Sequence, residues 1–145
     1  MTAEDSDTRL SWLITDLVNR IPQARSALLL STDGLVRART PDLAKDDADH
    51  LSAISCGLWS LAASTGRKFA AGGGVRQVGV EMDGAVLFVA AAGFGTCISI
   101  LAGSAADPGQ IGFEMAQFVR AVRPHLETEP RRPVPAAAEA VRDSA

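Results

Sequence analysis

The chain has 145 residues, with 14 Lys and Arg against 17 Asp and Glu, for a formal charge of −3. At 47% hydrophobic and 21% charged residues it has the composition of one globular domain, long enough to bury a proper core. No basic excess is available to neutralise phosphates, which excludes nucleic acid as a partner, and the acidic opening MTAEDSDTRL is the reverse of a secretory leader, so a cytoplasmic protein is expected.

Residues 1–7 read as disordered, and the folded domain is expected over residues 8–126. Leu10, Leu13, Ile14, Leu17, Val18 and Ile21 recur at helical spacing, with Thr8 or Asp7 placed to cap the helix and Pro22 to end it. Ser26–Ser31 (SALLLS) is a short, wholly apolar run and predicts a buried strand. Asp33-Gly34 then predicts a hairpin into Leu35–Thr40. In that return strand Arg37 and Arg39 oppose Val36 and Ala38, a pattern suited to a sheet edge.

A second helix is expected from Asp46 to Thr65. Asp46, Asp47 and Asp49 complement its dipole, and Gly66 stands at the left-handed C-terminal position. Leu51, Ile54, Leu58 and Leu61 form its apparent core stripe. After Gly72-Gly73-Gly74, the alternating stretch Val75–Met82 predicts a third strand, and Asp83-Gly84 turns it into AVLFVAAAGFGTCISILAGSAA.

That uncharged stretch has the length of a membrane span, but it follows a hairpin turn. Two glycines split it at Gly93-Phe94-Gly95, and no basic flank or aromatic belt marks an interface. Two strands apolar on both faces, at the centre of a covered sheet, are expected instead. Asp107 as cap, Pro108 at the first helical position and Gln110 three residues on open a last helix. Its core stripe is Ile111, Met115, Phe118, Val119 and Val122, and Pro124 is expected to close it. Residues 127–145, rich in Pro, Ala and charge, read as a disordered tail. The expected fold is an α/β (α+β) three-layer sandwich, order α-β-β-α-β-β-β-α, with one five-stranded antiparallel sheet.

Catalytic patterns are absent from this sequence. Cys56 and Cys97 lack any partner spacing and read as small buried hydrophobes. Asp46 and His50, one helical turn apart, suit either a metal or, more simply, a solvated helix start. Gly72–Gly74 precedes a strand and lacks the GK[ST] ending of a phosphate loop; Gly93-Phe94-Gly95 does not extend to a GxGxxG. No enzyme, metal or cofactor is expected.

The middle helix has a second face, of small residues around an indole: Ala48, Ser52, Ser55, Cys56 and Ala63, with Trp59. Small side chains admit another helix closely and Trp is a frequent interface anchor. The alternatives for Trp59 are a symmetric helix–helix contact or packing on the chain's own loops. Val78 and Val80, on the strand after the glycine triplet, are candidates for pairing with a partner's edge. Trp12, opposite the first helix's apolar stripe, is either an exposed anchor or incidental.

Three segments, LSWLITDLVNRIPQARSALLLSTDGL, DADHLSAISCGLWSLA and GVRQVGVEMDGAVLFVAAAGFGTCISILA, resemble the roadblock/dynein light-chain family in its bacterial branch. The resemblance spans residues 10–126. It implies a homodimer whose sheet continues through the third strand, with the middle helices side by side, serving as a platform for Ras-like small GTPases and in some members stimulating GTP hydrolysis. It further implies a setting with a sensor histidine kinase, without direct membrane insertion. A structural adaptor with no effect on nucleotide turnover is the alternative. The resemblance carries over no catalytic arginine, so Arg37, Arg39, Arg67 and Arg76 stand as equals.

Overall fold

The computed structural model describes residues 3–127, and the expected tail lies outside them apart from Glu127. The element order is α1 (Ala3–Arg20), β1 (Ala24–Ser31), β2 (Val36–Arg39), α2 (Lys45–Phe69), β3 (Gln77–Glu81), β4 (Ala85–Gly93), β5 (Thr96–Gly103) and α3 (Pro108–Glu127). The strands form one antiparallel sheet in the order β2-β1-β5-β4-β3. The fold class is as expected from the sequence.

The uncharged stretch occupies the centre of that sheet. On β4, Val86, Phe88, Ala90 and Ala92 face one side while Leu87 and Val89 face the other, and β5 alternates likewise with Ile98 and Ile100 against Cys97. Both sides are covered, so the run is apolar throughout. Under α1 and α3 lies the larger core, built from the helical stripes of Leu10, Ile14, Leu17 and Ile21 and of Ile111, Met115, Phe118 and Val122. α2 alone covers the opposite side, which Leu28, Leu30, Leu87, Val89 and Cys97 pave.

The turns carry different chemistry from the one expected. At Asp33-Gly34 only Gly34 has positive φ (90°); Gly34 N–H donates to Ser31 and Ser31 N–H to Leu35, closing a three-residue loop with a glycine bulge. The hairpin with both central residues left-handed is Phe94-Gly95, at φ of 52° and 69°, between the paired Gly93 and Thr96. A mirror-image turn of this kind matches the twist of the flanking strands and suits a glycine at position 95, while Gly93 before it takes a positive φ of its own (87°).

Three helix ends also differ. α1 starts at Ala3, so residues 3–7 extend the helix where disorder and a cap at Thr8 or Asp7 were expected. α2 continues past Gly66 to Phe69, and the left-handed residues are Ala71 and Gly72. Gly66 is needed for closeness: a Cβ there would stand 2.5 Å from the Gly73 carbonyl oxygen. α3 runs through Pro124 to Glu127, since a proline in the last turn removes only one terminal hydrogen bond and buried Leu126 holds that turn on the core. At its start, the Asp107 side chain accepts from Gly109 N–H at 3.0 Å, the cap expected from the sequence.

Candidate interaction surface

α2 is rotated relative to the sequence expectation. Its buried residues are Ala48, Ser52 and Ser55, and they face the sheet of their own chain. The sheet there is already paved with large aliphatic side chains, so the helix comes close only through small ones. Each hydroxyl is satisfied internally: Ser52 Oγ donates to the Gly34 carbonyl at 2.7 Å, and Ser55 Oγ bonds Ser99 Oγ at 2.9 Å. Cys56 is half-buried, its thiol donating to the Thr32 carbonyl at 3.1 Å. Ser52 and Ser55, fully buried, therefore fix α2 to its own sheet and do not face outward, whereas Cys56 lies half-buried at the margin of that contact.

The stripe read as core is split: Leu51 and Leu58 pack against the α2-side core, and Ile54 and Leu61 do not. Ile54 is 43% and Leu61 69% exposed, while Leu51 and Leu58 are half-covered. Trp59 and Ala63 are half-buried, and Trp59 packs at the margin of the α2-side core with Val78 and Val80. Those two valines lie on β3, whose far edge pairs with no strand among the described residues. An apolar helix flank and an open sheet edge thus occur on the same side of the chain.

The other candidates separate in space. Arg37 and Arg39 lie on β2 at one edge of the sheet and Arg76 precedes β3 at the other; Arg67 is exposed in the last turn of α2. They form no common cluster. Asp46 and His50 are exposed, and no group of three or more metal-ligating side chains occurs among the described residues. Trp12 is 76% exposed on α1, against the opposite side of the sheet from α2. Burial, assisted by nearby Cys56, pushes the Cys97 thiol up to about 11, a value suited to an inert core residue rather than a nucleophile. No described helix is long and apolar enough to cross a membrane.

An antiparallel sheet with a helix pair on one side, a lone helix on the other and a free edge beside it defines a class of small α+β modules. Within that class the chain belongs to the Roadblock/LC7 domain family, whose sequence profile matches residues 10–102. A Roadblock/LC7 domain from Streptomyces avermitilis is 51% identical, covering 81% of this chain and 98% of its own, with a TM-score of 0.79. A second such domain from that organism is 32% identical over 78% of this chain and 97% of its own, at 0.64. MglB of Myxococcus xanthus is 10% identical over 88% of this chain and 95% of its own; its TM-score of 0.76 is a likeness of fold alone. No curated protein matches significantly.

Proposed function

We propose that the chain is a non-catalytic homodimeric platform that binds a Ras-like small GTPase and regulates it within a signalling complex containing a sensor kinase. The observation that supports this reading is that Leu58 and Trp59 of α2 pack on the same core as Val78 and Val80 of β3, whose outer edge pairs with no strand among the described residues, while Ile54 and Leu61 of that helix stay exposed. Pairing β3 with its counterpart in a second copy would satisfy the edge and extend the sheet across the two-fold axis. The same step would bring the two α2 flanks together, with Trp59 at the margin. This flank replaces the small-residue face as the proposed contact.

Membership of the family supports a GTPase partner. In such a dimer the two α2 helices would lie side by side and antiparallel, a broad surface that acts by binding one conformation of the GTPase switch segments more tightly than the other. The chain needs no reactive group for that. Single-turnover GTP hydrolysis by the cognate GTPase, with and without this protein, is the test. Faster hydrolysis supports regulation; binding with an unchanged rate assigns the chain to scaffolding instead.

A further inference from the structure

A groove of about 500 Å³ lies on the other side of the sheet, between the β3–β4 edge and α3. Ala90, Met115, Ala116 and Val119 give it an apolar floor, and Arg76, Arg120 and Arg123 stand around it. Two glycines shape it. The Arg123 guanidinium lies over Gly93, where a Cβ would come within 3.7 Å of Nε, and Gln77 reaches across to Gly112, within 3.7 Å of the same construction.

The charge here runs against that of the chain. A protein of net −3 places three guanidiniums from two segments on one groove, and no described carboxylate lines it. The described salt bridges lie elsewhere, at Arg20–Asp16 and Lys45–Asp49. Arg76 and Arg123 have no acidic partner among the described residues, and Arg120 reaches only the Gln117 amide oxygen at 3.4 Å. Arginine forks match carboxylates two hydrogen bonds at a time, and they are weakly enough hydrated to bind beside apolar surface.

We propose that this groove binds an acidic segment of a partner protein, one that alternates carboxylates with apolar side chains. The carboxylates would meet the three guanidiniums and the apolar groups the Met115–Val119 floor. A lone phosphate would leave that floor uncovered. A nucleic acid would lack aromatic stacking partners, since no aromatic side chain lines the groove, and would meet the repulsion of a net-negative protein. The groove opens on the opposite side of the sheet from α2.

Fluorescence anisotropy of the full chain with a labelled Glu-Leu repeat peptide tests this. Binding is expected to weaken with added salt. It should fall about tenfold for each of Arg120→Gln and Arg123→Gln, with Arg123→Lys in between because it keeps the charge and loses the fork. A Gln-Leu peptide is expected not to bind. Unchanged thermal midpoints of the variants would show that the losses arise at the groove. Equal binding of the Gln-Leu peptide, indifference to the arginine variants, or displacement by inorganic pyrophosphate or single-stranded DNA at the peptide's own concentration would each overturn the proposal. So would a gain in peptide affinity when Glu127, Glu129, Glu139 and Asp143 are neutralised together, which would assign the groove to the chain's own tail.

Discussion

Ser99 sits in the middle of a central strand, fully buried, and its hydroxyl is bonded by Ser55 on α2. Replacing Ser55 with Ala leaves that hydroxyl without a partner in a dry core, at a cost of about 1–3 kcal/mol. Replacing both serines is expected to cost less than the sum of the two single changes, and urea unfolding of the four species measures it. Ser99 was also the legible clue to the helix's orientation. A polar residue inside TCISILAG needs a partner, and hydroxyls on the helix were the available donors. Two more residues give pH-dependent and reactivity tests. Burial alone would raise the Asp42 carboxyl, but hydrogen bonds from Ser26, Thr40 and its own backbone N–H hold it below the ordinary value of 3.8. Its stabilising contribution is therefore complete above 3.8 and lost as pH falls below it towards the folded value, so Asp42→Asn should flatten the acid limb of the stability curve. With its thiol pushed up to about 11 and 1% exposed, Cys97 should resist alkylation at pH 8 in the native state and react only on unfolding, which mass spectrometry of the labelled chain reads directly.

At the scale of the element, α2 shows where sequence patterning succeeds and where it stops. The helix, its acidic first turn and its basic last turn follow from local chemistry, and so do the stripes of α1 and α3. Its rotation does not, because α2 carries two stripes and hydrophobicity favours the larger. What decides is the surface it meets: Leu28, Leu30, Leu87 and Val89 leave room only for serine and alanine, and that surface belongs to strands distant in sequence. The helix ends were misread for a similar reason. Gly66 has the residue type of a left-handed terminator, yet it serves the return of the chain at Gly73. The two glycines of α2 therefore respond oppositely to the same change. Gly57 has open space around it, so Gly57→Ala should stabilise by about 0.5–1 kcal/mol. Gly66→Ala should lower the thermal midpoint instead, because its new methyl would meet a backbone oxygen. Equal gains at both sites would mean the Gly66–Gly73 approach is not maintained in solution.

For the whole molecule, the two sides of the sheet are unequal, and that inequality is what favours a second copy. Two helices close the α1–α3 side over a continuous core, whereas one helix spans the other side and leaves Val78, Val80, Leu101, Leu58 and Trp59 only partly covered. Each exposed Leu or Ile transferred from water into a contact contributes about 1.5–3 kcal/mol, and the two-fold axis counts every such residue twice. A few residues on one flank would therefore supply much of what holds the proposed dimer, and a charge placed there would be opposed by its own symmetry mate. Ile54→Glu with Leu61→Glu should convert the proposed dimer to a monomer in sedimentation equilibrium while leaving the far-UV spectrum intact, because neither side chain belongs to the chain's own core. Trp59→Ala should weaken the dimer less, since the indole is already half-covered by its own protomer. If the GTPase reads a surface built by two helices, the monomeric variant should also lose any stimulation of GTP hydrolysis. A variant that is monomeric yet fully stimulating would mean that one α2 suffices, and the paired platform would then have no part in regulation.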